Sequence, residues 1–272
     1  MQLLDPWSEP LPAAWRQMEE VPSHKQIASI FLVPSCDMVC PFCAADTDLD
    51  TMAAAQARLL LRELRQRNIR NVVFGGGEPY LWPHNLHELC EFAQDLGHFV
   101  QVCTNGGTLP SDFAESRAVD RFVLPLEAMN PELHDRLRIW PRGGGRHHAA
   151  ILTRLRQLTE AEKPFTISTV VTRSNIQEVE AIGRFLLCLA QSGARLHAWH
   201  LYRFIAVGRA GSRNAGAHAI TSEEFSNACR LARASAPRVA IYGRMNMRRP
   251  SSVEYFWLQR GTLQIGSIAY DR

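Results

Sequence analysis

Gln26-Ile-Ala-Ser-Ile-Phe-Leu-Val33-Pro-Ser-Cys36-Asp-Met-Val-Cys40-Pro-Phe-Cys43 is the stretch on which the fold turns. Its first half is rich in β-branched and aromatic side chains and is stopped by Pro34, which predicts a strand over Gln26 to Val33. Its second half places three cysteines in one loop at CxxxCxxC spacing. Thiolates at these spacings can converge on one metal centre, and soft sulfur donors select iron–sulfur clusters, zinc or Cu(I). A closed zinc site needs four ligands, and although His24 or Asp46 could serve, no second CxxC or HxxxH stands nearby. The chain has seven cysteines, an odd number, which argues against a disulfide framework and for metal or redox chemistry in a reducing compartment.

Outward from this loop the punctuation recurs in a strand–helix rhythm. Asp50 to Asn68 carries Leu59, Leu60 and Leu64 on one stripe and predicts an amphipathic helix. A strand over Arg70 to Phe74 then ends in Gly75-Gly76-Gly77-Glu78-Pro79, which can continue neither a strand nor a helix. Further strands are predicted at His98–Cys103, Arg121–Leu126, Phe165–Thr172 and Leu196–Ile205, with helices at Asn85–Leu96, Pro131–Leu137, Arg146–Ala161 and Ile176–Ser192. Six strands alternating with helices imply a parallel sheet with its chemistry at the loops after strand ends. Residues 1–24, with four prolines, read as an extended arm, and residues 25–210 as the core. Residues 211–272 read as an extension that starts a capped helix at Thr221 and closes the mouth with a hairpin.

In 272 residues, 30 Lys and Arg against 27 Asp and Glu leave a net charge of +3. That is too little to advertise a nucleic-acid or membrane surface, so no nucleic-acid polymer is expected as a partner. The first basic residue is Arg16, and Pro and Trp interrupt the early apolar residues, so no secretory signal is expected. No run approaches the roughly 18 apolar residues of a membrane span. The expected location is cytoplasmic.

The two motifs together resemble the radical S-adenosylmethionine (SAM) superfamily, and the resemblance spans most of the chain. It implies an α/β fold, a partial (β/α)6 TIM-like barrel, with a [4Fe–4S] cluster held by Cys36, Cys40 and Cys43 and SAM on the remaining iron. Phe42 is the aromatic residue this family places before its last cysteine. The turn at Gly76, Gly77 and Glu78 matches the family's GGEP motif, which contacts the SAM amino group. Pro125-Leu126-Glu127 stands where the family commonly has S-x-D, so the serine hydroxyl that binds the SAM ribose is missing and Glu127 is the substitute. His134-Asp135-Arg136-Leu137-Arg138 resembles the family's HDRxR, and Arg138, or Arg142 in the basic glycine loop Arg142–His148, is the expected partner of the SAM carboxylate. In family terms the reduced cluster cleaves SAM to methionine and a 5′-deoxyadenosyl radical, which abstracts a hydrogen atom from a substrate C–H bond.

In the C-terminal third only Cys188, inside a predicted outer helix, and Cys229 occur, so no auxiliary cluster is expected. Segments around Thr169–Asn175 and Trp199–Arg209 resemble viperin-like, nucleotide-modifying members, although Thr166 stands where these have a phosphate-binding Lys. That resemblance makes Tyr255 a candidate donor of a hydrogen atom or proton to a substrate radical, while inward-facing alternation along the sixth strand makes Tyr202, near its end, a candidate to face the substrate. Cys103 reads as a small apolar filler, and His84, His87, His134 and His218 as surface or capping residues. The expected partners are a small polar substrate, such as a nucleotide or natural-product intermediate, and a reductase such as a flavodoxin or ferredoxin. The alternatives are a peptide-modifying enzyme or glycyl-radical activase, and, in a different class, a non-catalytic metal-binding module.

Overall fold

The strands of this protein owe their persistence to side chains that alternate strictly between two faces. Ile30, Phe74, Val102, Phe122, Ile167 and Trp199 are all fully buried against the helices. Each contributes on the order of 2 kcal/mol by leaving water. Their neighbours in sequence face the other way, into a concave surface. The structure, a computed structural model, describes Trp15, Met18 and residues 25–45, 48–144, 146–246 and 252–266. Of the N-terminal arm, Trp15 and Met18 are buried in the core, and the rest lies outside the described residues, as do His24 and Asp46.

The elements run β1 (Ile27–Val33), α1 (Ala54–Gln66), β2 (Asn71–Gly76), α2 (Leu86–Asp95), β3 (Phe99–Cys103), β4 (Arg121–Pro125), α3 (Pro131–Leu137), α4 (His147–Glu160), β5 (Phe165–Val171), α5 (Val179–Gln191) and β6 (Leu196–Arg203). Two single turns, α6 (Gly208–Gly211) and α7 (Ala215–His218), lead to α8 (Ser222–Ser235), β7 (Ile241–Arg244), β8 (Val253–Gln259) and β9 (Thr262–Gly266). The order across the sheet is β7-β6-β5-β4-β3-β2-β1-β8-β9, parallel from β7 to β8, with β9 antiparallel at one edge. The barrel is therefore partial and does not close.

Local chemistry sets most boundaries. Asn85 caps α2 by accepting from Glu88 N, Asn130 and Pro131 open α3, and Thr221 with Glu224 forms a reciprocal capping box on α8. Two expectations shift. The first helix starts at Ala54 rather than Asp50, because Asp50 N donates to Leu258 O and the Asp50 carboxylate accepts from Gly261 N. Tertiary contacts have taken a helix-compatible residue for the hairpin. The extension after residue 210 joins the sheet itself: β7 lengthens it beside β6, and β8 lengthens it beside β1.

Candidate active site

The concave face of the sheet surrounds a cavity of about 410 Å³. Alternation along the strands delivers Gly75 from β2, Cys103 from β3, Ser168 from β5, Tyr202 from β6 and Tyr255 from β8 to its wall. The loop after β1 brings Cys40, Phe42 and Cys43 to the same rim, beside Gly76 and Gly77. Tyr202 and Tyr255, singled out on separate grounds, thus share one cavity with the cysteine loop. Tyr202 O–H lies 3.2 Å from His200 Nδ1, and the Tyr255 ring tilts against Phe31 at 6.0 Å. Cys103 is no filler, since its side chain opens into the cavity.

Cys36, Cys40 and Cys43 are free thiols. Burial pushes Cys40 up to about 12, against the pull of Arg138, and raises Cys36 as well. Two sulfurs have a side-chain donor aimed at them. Asn105 Nδ2 lies 3.7 Å from Cys36 Sγ, and Arg138 Nη1 lies 3.9 Å from Cys40 Sγ. Among the described residues no three His, Cys, Asp or Glu side chains, the three cysteines included, are drawn together into a ready-made metal shell. Thiols on one loop with N–H donors directed at sulfur are the donor set of an iron–sulfur cluster, and Cys36, Cys40 and Cys43 would hold it.

Several parts of the chain fasten this loop. Gly77 N donates to Val33 O at 2.6 Å and Glu78 N to Ser35 O at 2.8 Å, while Arg209 Nη2 grips Pro34 O at 2.7 Å and Asn214 Nδ2 holds Pro41 O at 2.9 Å. The Asp37 carboxylate accepts from Asn105 Nδ2, Thr108 Oγ1 and Trp140 Nε1. The short helices α6 and α7 thus act as a clamp.

Four expected contacts change their meaning. A Cβ on Gly76 would lie 2.6 Å from Val33 O, so this glycine makes room for the cysteine loop's own backbone before any ligand. Glu78 is fully buried, and its carboxylate accepts from Thr104 Oγ1, Asn105 N and Tyr80 N. It ties the β2 turn to the β3 turn and does not line the cavity. Burial lifts its carboxyl to about 7. Glu127, also fully buried, receives Arg138 Nη2 at 2.6 Å and Val170 N at 2.8 Å, so its carboxylate is already engaged by the chain. Arg138 is committed to Glu127, with its guanidinium 5.0 Å over Phe42, and Arg142 is exposed on the turn after Trp140.

The histidines hold a further correction. His134 and His147 are fully buried and His218 nearly so. Glu127 N donates to His134 Nδ1, His134 Nε2 lies 2.9 Å from His147 Nδ1, and His147 Nε2 lies 2.7 Å from Asn105 O. Sequence reasoning missed this connection and missed Asn105. The Thr104-Asn105-Gly106 turn after β3 was its only visible signal, because His134 and His147 meet only through the packing of α3 on α4.

Residues 30–186 match the family model described as the Radical SAM superfamily. The chain is 30% identical over 154 residues to the PqqA peptide cyclase of Streptomyces rochei, covering 54% of this chain and 41% of that protein. It is 26% identical over 155 residues to the AdoMet-dependent heme synthase of Methanosarcina barkeri, covering 54% and 43%. The match thus spans less than half the length of these curated relatives. Among solved structures, Streptococcus suis SuiB bound to precursor peptide SuiA superposes with a TM-score of 0.64 at 15% identity, over 84% of this chain and 50% of that one. A likeness at that identity speaks for the fold alone. No helix among the described residues is long and apolar enough to cross a membrane. With more than half its length matched by the family and its cysteine loop and glycine turn joined at one cavity, the chain belongs to the Radical SAM superfamily, a family of enzymes that work with a [4Fe–4S] cluster and S-adenosylmethionine.

Proposed function

We propose that this protein modifies a peptide by hydrogen-atom abstraction, with Cys36, Cys40 and Cys43 as the cluster ligands. The single observation that carries the radical reading is the convergence of Cys40 and Cys43 with Gly75, Gly76 and Gly77 on one cavity. The peptide reading replaces a small polar substrate as the leading one, because the 30% identical relative is named a peptide cyclase. The 26% identical heme synthase supports the small-substrate reading in second place.

When bound, the cluster and SAM together supply a radical that takes a hydrogen atom from a C–H bond. The chain positions and shields them. Arg138 and Asn105 direct N–H groups at two sulfurs, Phe42 and Ile205 present apolar surface to the cavity, and Tyr202 and Tyr255 supply hydroxyls near the substrate. A flavodoxin or ferredoxin would deliver the electron.

Anaerobic reconstitution should give about four irons per chain, and SAM should be cleaved on reduction. Cys36→Ala, Cys40→Ala or Cys43→Ala should each abolish both, whereas Cys90→Ala, Cys188→Ala and Cys229→Ala should keep the iron. One tightly held zinc per chain would instead support a structural site. The substrate class is tested by feeding the reduced enzyme fractions of its host grown in deuterated medium. Deuterium should enter 5′-deoxyadenosine from the peptide fraction and be lost after protease treatment. Transfer from the protease-resistant small-molecule fraction would favour the second reading. With the active fraction in hand, Tyr255→Phe should still form deuterated 5′-deoxyadenosine while product formation stalls, and full product would remove the hydroxyl from the chemistry.

A further inference from the structure

The wall of the cavity is electrically one-sided. Arg244 reaches it, with Arg203 at its rim turned towards Ser222 of α8, while no Asp or Glu is among its lining residues. Neither arginine has a carboxylate partner among the described residues. Arg203 Nη1 donates to Ser222 Oγ, but its buried Nε finds no acceptor. The Arg244 guanidinium lies 5.5 Å from the Tyr242 centroid and acts electrostatically on His200 and Tyr202. Parallel pairing sets Tyr202 beside Arg244 and Ser168 beside His200, so hydroxyls and cations share one patch of the β5–β7 wall. Deeper on that wall Thr166 is 2% exposed, and its Oγ1 has no hydrogen-bond partner.

Cations kept beside a cavity without counter-charge imply that the missing charge comes with the ligand, since a guanidinium fork matches a carboxylate with two donors. The opposite wall, with Ile27, Phe31 and Val253, is apolar. We infer that the β5–β7 wall is a carboxylate subsite, in which Arg244, beside the Tyr202 hydroxyl, seats an acid group carried on a short apolar stem of the substrate. A Glu or Asp side chain or a chain end would supply it in a peptide, and a free organic acid would supply it otherwise. The subsite rests on the radical SAM reading of this cavity, and on the peptide reading only for the source of the acid.

The test is calorimetric titration of the reconstituted, SAM-loaded full chain with three probes: N-acetylglutamate methylamide, its glutamine counterpart and glutarate. The acid probes should bind about tenfold tighter than the amide, the worth of one charge-assisted contact. Arg244→Gln should erase that preference, and Arg244→Lys should retain part of it, while both variants keep wild-type iron content and SAM affinity. Equal binding of acid and amide, no binding of any probe, or a preference surviving in Arg244→Gln would overturn the inference. A loss of SAM affinity as large as the loss of acid binding would also overturn it, because Arg244 would then serve the cofactor's own carboxylate. Arg244-dependent binding of glutarate without the capped peptide would uphold the subsite and count against the peptide reading. Failure of the radical reading would show separately, as wild-type protein that takes up no iron.

Discussion

Gly77→Ala should produce a folded protein that stays colourless after anaerobic reconstitution. A Cβ at Gly77 would stand 2.0 Å from Ser35 O and 2.6 Å from Pro34 O, both backbone atoms that no rotamer change can move. The same residue donates its N–H to Val33 O, and its neighbour Glu78 donates to Ser35 O. The chain leading into Cys36 must therefore retreat, and Cys36 goes with it. Gly76→Ala should act similarly, since its φ of +125° strains any side chain and Val33 O is 2.6 Å away. Gly75→Ala is the control: its nearest neighbour would be Cys103 Cβ at 3.8 Å, an ordinary contact. Iron per chain should fall from about four to below one in Gly77→Ala and stay near four in Gly75→Ala. Unfolding of the cluster-free proteins should show a loss of roughly 1–3 kcal/mol in Gly77→Ala, the usual cost of overpacking. Full iron in Gly77→Ala would show that the loop yields without losing its thiols.

The strands were legible in the sequence because each carries β-branched or aromatic residues whose alternate members are buried, as in Ile30 and Leu32 on β1 or Trp199 and Leu201 on β6. The cysteine loop and glycine turn were legible because their spacings serve chemistry and backbone geometry rather than propensity. What escaped was tertiary. β7 is four residues, Ile241 to Arg244, too short to show a period, and it exists because β6 offers an edge. Glu78 and Glu127 read as contacts of SAM through the family resemblance of the glycine turn and of Pro125-Leu126-Glu127. Here each is consumed by neighbours distant in sequence, Asn105 in one case and Arg138 in the other. Asn105 itself carried no motif of its own, and its value comes from standing between Cys36 and Asp37.

Acid should loosen this protein earlier than its carboxylates alone would predict, through His134 and His147. Glu127 N–H can only donate, so His134 Nδ1 must be bare, and its proton sits on Nε2 facing His147 Nδ1. Asn105 O can only accept, so the proton of His147 sits on Nε2. Both rings are then neutral with fixed tautomers, and protonating either one would set two N–H groups against each other. Burial first, and then the charges of neighbouring His and Arg138, holds both well below the ordinary histidine range. The folded chain thus refuses protons that the unfolded chain accepts below about pH 6.5. The stabilising contribution is complete above that pH and is lost as pH falls towards the depressed folded values. The loss reaches about 1.4 kcal/mol per pH unit for each ring. Two rings correspond to on the order of 5–10 °C in melting temperature per unit for a chain of this size. His147→Gln keeps an acceptor for His134 and a donor for Asn105 O but takes no proton. Melting curves of the cluster-free protein between pH 7.5 and 5.0 should therefore be flatter in this variant by one ring's share, about 1.4 kcal/mol per pH unit at the acid end, the other depressed histidines, His200 among them, keeping the rest, although it starts less stable by roughly 1 kcal/mol. Parallel slopes would mean the pair is not what acid attacks. Because His147 holds the carbonyl of Asn105, whose side chain points at Cys36, the same protonation should release iron from the reconstituted protein over this pH range, and more steeply in wild type than in His147→Gln.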